Sequence, residues 1–99
     1  MRLSAHDREA ICRVAGELAG PGARLLLFGS RTNDELRGGD IDLLIELPEV
    51  TPQRFALADR IAARIQRAIG MRRIDVLVAD PTTPESPVLS AARQAGVLL

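Results

Sequence analysis

The sequence predicts a single α/β (α+β) domain spanning residues 1–99, a small mixed sheet of three or four strands with helices on one face. Three observations carry this expectation. Short apolar runs near residues 24–28, 41–47 and 74–79 are separated by longer segments whose apolar residues recur every three to four positions, the patterns of strands and helices respectively. Glycine, proline or a capping hydroxyl stands at most of the boundaries. The hydrophobic content of 46% is mostly Leu, Ile, Val and Ala, which suits one packed core in a chain of 99 residues.

The elements follow in order. Ser4 with Asp7 three residues later resembles a helix N-cap, and Ala10, Ile11, Val14, Ala15 and Leu18 repeat at helical spacing until Gly20-Pro21-Gly22. His6 and Cys12 belong to this helix, the first as a solvated residue and the second as a small packing residue. Arg24 to Phe28 reads as an interior strand that stops at Gly29-Ser30. After a helical turn from Ser30, the polar stretch Thr32 to Gly39 is a loop. Asp40 to Leu47 is the second strand, ended by Pro48. Thr51-Pro52 places a capping hydroxyl before proline at the first helical position, and Phe55, Ala58, Ile61, Ala62, Ile65 and Ile69 form the apolar stripe of a long helix ending at Gly70. Arg60, Arg64 and Arg67 fall on its opposite side. Arg72 to Ala79 is a third strand, and Ser86-Pro87 caps a last short helix that Gly96 terminates.

Composition excludes several chemistries. All thirteen basic residues are arginine, so no lysine Schiff base, lysine nucleophile or P-loop lysine exists. One cysteine and one histidine cannot make an intrachain disulfide, a Cys-rich zinc site or a His-Glu-x-x-His helix. Two aromatics and a formal net charge of zero argue against a strong direct nucleic-acid binder. The amino terminus lacks the apolar run of a signal peptide and no stretch is long enough for a membrane span, which makes the cytoplasm the expected compartment. The charge is uneven: residues 1–50 carry six arginines against nine acids, and residues 51–99 carry seven against four.

The acidic half holds the pattern of interest. Side chains alternate faces along a strand, so Asp40 and Asp42 point one way while Ile41, Leu43, Ile45 and Leu47 point the other. In the third strand Ile74, Val76 and Val78 form the apolar face, and Asp75 shares the opposite face with Arg73, Leu77 and Ala79. If these strands are neighbours, three carboxylates converge on one face of one sheet. Such a cluster repels itself unless a cation or proton sits among its members. Magnesium is the natural occupant, because it takes oxygen ligands and is usually shared between carboxylates and a substrate's phosphates. Gly29-Ser30 at a strand-to-helix turn can grip a phosphate: glycine lets the backbone come close, and the Ser30 hydroxyl and nearby amides donate. Arg31 is placed to add charge.

Leu27-Phe28-Gly29-Ser30-Arg31, a loop ending Arg37-Gly38-Gly39, then Asp40-Ile41-Asp42-Leu43 and the later Ile74-Asp75-Val76 together resemble a minimal nucleotidyltransferase (MNT) domain of the DNA polymerase β superfamily. The resemblance covers nearly the whole chain; nine residues separate Ser30 from Asp40, one fewer than is common in the family. It implies a polymerase β palm-like fold in which Asp40 and Asp42 hold Mg2+, expected as two ions, against the phosphates of an NTP such as ATP. It further implies that Gly29 and Ser30 hold the triphosphate end. Asp75 matches the third acidic position, which helps bind the metal beside the attacking hydroxyl and assists its deprotonation.

Stand-alone domains of this kind are typically antitoxins paired with an α-helical HEPN ribonuclease toxin, some of which adenylylate a tyrosine of the toxin. The resemblance therefore implies transfer of AMP to a protein hydroxyl, with a HEPN-type toxin as partner. The alternative is an antitoxin that only masks its toxin. Nucleotide addition to a small molecule or an RNA end has less support, since no acceptor pocket is evident. Finally, Leu44 and Leu77 lie on the carboxylate face, and a partner protein or a second copy of the chain is expected to cover them.

Overall fold

A computed structural model describes residues 3–29, 41–70 and 72–99. The elements run α1 (Ala5–Ala19), β1 (Arg24–Phe28), β2 (Ile41–Glu46), α2 (Arg54–Ile69), β3 (Ile74–Ala79), α3 (Pro87–Ala95) and β4 (Val97–Leu98). They form a four-stranded mixed sheet in the order β3-β2-β1-β4, an α+β fold as the sequence predicts. β1 runs antiparallel to both β2 and β4, and β2 runs parallel to β3. The long connection through α2 permits that parallel pairing.

Local signals in the sequence hold at α1 and α3. The Ser4 hydroxyl accepts from the Asp7 N–H at 3.0 Å, and the Ser86 hydroxyl accepts from the Leu89 N–H at 3.2 Å with Pro87 in the first turn. The start of α2 differs from expectation. Its first helical residue is Arg54, preceded by Gln53 in the left-handed region, and no side chain caps it. The Thr51 hydroxyl instead donates to the Glu49 carbonyl, and the Thr51 N–H donates to Asp80. Phe55 is 77% exposed rather than part of the core stripe. The cause lies one residue earlier: Arg54 occupies the inward phase with Ala58, Ile61 and Ile65, because its guanidinium pairs with the Asp80 carboxylate at 3.7 Å. A neighbour one position along is rotated by about 100°.

The two faces of the sheet are filled by different helices. Leu27, Leu43, Ile45 and Val78 pack against Ile11, Val14, Ala15, Ala58, Ile61 and Ile65 of α1 and α2. The opposite face carries Leu26, Leu44 and Ala79, and there Leu89 and Ala92 of α3 pack. Helices thus stand on both faces, which corrects the expectation of helices on one face. The same contact answers the question of what covers Leu44: it is fully buried by the chain's own α3, and Leu77 is half-buried beside it.

After α3 the chain turns back to add β4 to the edge of β1. Gly96 makes the approach possible, since a Cβ there would collide with the Ala92 carbonyl oxygen and stand 3.2 Å from the Leu26 side chain. Asp80 fixes the opposite end. Its buried carboxylate accepts from the N–H groups of Thr51 and Thr82, each at 2.8 Å, and from the Thr82 hydroxyl at 2.6 Å. These bonds join the lead-in to α2 with the turn after β3. They hold the Asp80 pKa down at about 2, the Thr51 N–H first, then the Thr82 hydroxyl, with the Thr82 N–H and Arg54 adding to them.

Candidate active site

Register places the carboxylates. Phe28 is opposite Asp42 across the antiparallel pair, and Asp42 is opposite Asp75 across the parallel pair. Since side chains alternate, the row Phe28–Asp42–Asp75 lies on the same face as the next row, Leu26–Leu44–Leu77, and the one beyond it, Arg24–Glu46–Ala79. α3 covers the latter two rows. Its Arg93 Nε bonds Glu46 at 2.9 Å while Leu89 and Ala92 sit over Leu26 and Leu44. Among the described residues α3 does not reach the carboxylate row: Asp75 is exposed and Asp42 half-buried. Neighbouring strands stand about 4.8 Å apart, so the two aspartates are as close as strand geometry allows.

Gly29 abuts this row. It has φ +74°, in the left-handed region, and the Asp42 carboxylate lies directly over its Cα. A Cβ at this position would overlap Asp42 Oδ2 and stand 3.1 Å from Cγ. The glycine therefore serves two physical ends, the turn out of β1 and the space that the Asp42 side chain occupies. The structure brings together Gly29, Asp42 and Asp75 as the sequence predicts. Ser30, Arg31 and Asp40 lie outside the described residues.

Asp75 has a neighbour to which the sequence alone assigns no role. Arg73, two residues earlier on the same face, approaches it with Nε 3.5 Å from Oδ2. The strand's alternation had already placed both on one face, but a sequence carries no distances. Among the described residues, no group of three or more His, Cys, Asp or Glu side chains is assembled as a metal site, the pair Asp42 and Asp75 being the acidic part of this row. Among the described residues, the grooves lie away from this row. An apolar one of about 400 Å³, lined by Cys12, Gly16, Leu25 and Leu98 among others, lies between α1 and the β4 edge.

A family model for the nucleotidyltransferase domain matches residues 9–90, a span that includes Gly29, Asp42, Asp75 and most of the sheet. The chain belongs to the nucleotidyltransferase domain family. No curated protein matches it. As a nucleotidyltransferase domain it is assigned a transferase role in nucleotidyl transfer, and domains of this family generally use an NTP with a divalent metal. The donor set in hand fits such a metal, because carboxylate oxygens are the ligands that hard divalent cations take. Among the described residues of this nucleotidyltransferase domain no helix is long and apolar enough to cross a membrane.

Proposed function

We propose that the chain is a magnesium-dependent nucleotidyltransferase that moves AMP from ATP to a hydroxyl of a protein, acting in the cytoplasm as the antitoxin of a HEPN-type toxin. One observation carries the reading: Asp42 and Asp75 stand in register on neighbouring parallel strands, at the end of the face that α3 leaves open, with Gly29 against Asp42. In this reading Asp42 and Asp75, with Asp40, hold the metal, and Gly29, Ser30 and Arg31 receive the triphosphate.

Bound Mg2+ supplies charge neutralisation for both the entering and the leaving oxygen of an in-line displacement at phosphorus. The chain's own part is positioning. The backbone of Asp42 is held between two strands and its carboxylate lies against Gly29, which limits its rotamers. Asp75, exposed at the sheet edge, accepts the proton of the acceptor hydroxyl. That hydroxyl oxygen bonds to the α-phosphorus, the bond to the bridging oxygen breaks, and pyrophosphate leaves. Asp75 is exposed, so an acceptor carried on another molecule can reach it. The chain has no tyrosine, so a tyrosine acceptor has to come from a partner.

The test is incubation with the toxin, ATP labelled at the α-phosphate and Mg2+. Label should appear on the toxin, disappear with a chelator, and fall by on the order of a hundredfold or more in Asp42→Asn and Asp75→Asn. Neutralisation of the toxin without any transfer, unchanged in both variants, would leave masking as the function.

A further inference from the structure

Among the described residues, the arginines make two kinds of ion pair. Arg54 ties α2 to Asp80, Arg72 ties the lead-in of β3 to Asp7 of α1 at 2.8 Å, and Arg93 ties α3 to Glu46 of β2. Each joins separate elements. Arg73, the residue just before β3, is different: it pairs with Asp75 two positions along and, among the described residues, cross-links no separate element. Its backbone is fixed by the carbonyl that accepts from the Ile41 N–H at 2.9 Å, yet its side chain is 72% exposed, and that of Asp75 is 56% exposed. An exposed pair between residues two positions apart adds little to stability. Its position, beside one of two carboxylates in register, gives it a different use.

We infer that Arg73 is a positioning residue, the built-in counter-cation of Asp75, which it holds in the metal-free protein and releases when a divalent cation binds. This rests on the proposed reading of Asp75 as a metal ligand. Two carboxylates on adjacent strands repel each other, and a guanidinium at 3.5 Å offsets part of that repulsion. Arginine stays protonated, so it cannot yield by losing its charge and must swing away. Its exposure leaves it free to do so. The weakness of the pair keeps the competition mild, and Arg73 thereby sets how much cation the site needs.

Calorimetric titration with Mn2+, without nucleotide, tests this independently of transfer. Arg73→Ala should bind Mn2+ about two- to fivefold more tightly than wild type. The gain should vanish in an Asp75→Asn background and shrink at high salt, where exposed charges are screened. Arg73→Lys, which keeps a positive charge but loses the Nε contact, should fall between the two. Because the pair cross-links nothing, the thermal midpoint of Arg73→Ala should match wild type. Unchanged or weaker Mn2+ binding by Arg73→Ala overturns the inference, as does an equal gain in the Asp75→Asn background, which would indicate only a general field effect. If wild type binds Mn2+ no better than Asp42→Asn/Asp75→Asn, the metal site itself is refuted, a distinguishable outcome.

Discussion

A methyl group at residue 29 should unseat Asp42. Gly29 sits at φ +74°, a conformation that costs an L-residue about 1–2 kcal/mol. The added Cβ also overlaps the Asp42 carboxylate, whose Cγ and Cβ would be 3.1 and 3.4 Å away, so the side chain must leave its rotamer for a further 0.5–1.5 kcal/mol or so. Gly29→Ala is therefore expected to lose about 1.5–3.5 kcal/mol in urea unfolding, with the midpoint of thermal unfolding falling by roughly 4–8 °C per kcal/mol. Mn2+ affinity and nucleotidyl transfer should fall with it, because the displaced carboxylate is one of the two in register. Gly16→Ala is the internal control. That position is exposed within α1, with nothing within 4 Å of an added methyl, and the substitution should stabilise by about 0.5–1 kcal/mol. A Gly29→Ala variant within about 0.5 kcal/mol of wild type and with transfer retained would refute the assignment of this contact.

Asp80 should govern acid stability. Its folded pKa is held at about 2, below its ordinary value of 3.8, so its contribution is present above about pH 4 and is lost as pH falls through about 2. Asp7 adds in the same direction: burial raises its pKa, but the His6 hydrogen bond and the Arg72 guanidinium outweigh that and leave it lowered. Asp80→Asn should accordingly be less stable than wild type at neutral pH and lose less between about pH 4 and 2; parallel curves from chemical unfolding at stepped pH would contradict this. Leu89→Ala, at a side chain 1% exposed on the buried side of α3, should cost about 2–5 kcal/mol, whereas Phe55→Ala, 77% exposed, should stay within about 0.5 kcal/mol. Equal losses in the two would mean that α3 is not the cover of the Leu44 face.

The elements were legible where the chemistry is local. The hydroxyl caps at Ser4 and Ser86, the alternation in β2 and β3 and the stop at Gly96 all depend on residues within a few positions of one another. The start of α2 was not legible, because Thr51 and Arg54 answer to Asp80, nearly thirty residues away, and that distant carboxylate turned Phe55 outward. A hydroxyl before proline looks like a cap, but the Thr51 hydroxyl donates to the Glu49 carbonyl, the Thr51 N–H is held by Asp80, and α2 starts three residues later. Likewise Asp80 read as a strand exit, although an aspartate followed by proline and two threonines is a turn builder whose side chain seeks backbone N–H groups.

By itself the sequence determined α1, β1, β2, β3 and α3 and the face on which Asp42 and Asp75 lie, but neither the start of α2 nor the strand β4. Period and spacing suffice for these, since a strand's alternation is fixed by backbone geometry. Only the tertiary structure decided that β2 and β3 are neighbours with Asp42 opposite Asp75, that α3 crosses to the face the sequence left bare, and that Gly29 lies under the Asp42 carboxylate. Those are pairings between residues far apart in the chain. They are chosen by the whole core at once, because burying Leu26, Leu44 and Ala79 under Leu89 and Ala92 seats α3 on those rows and leaves the carboxylate row beyond its cover.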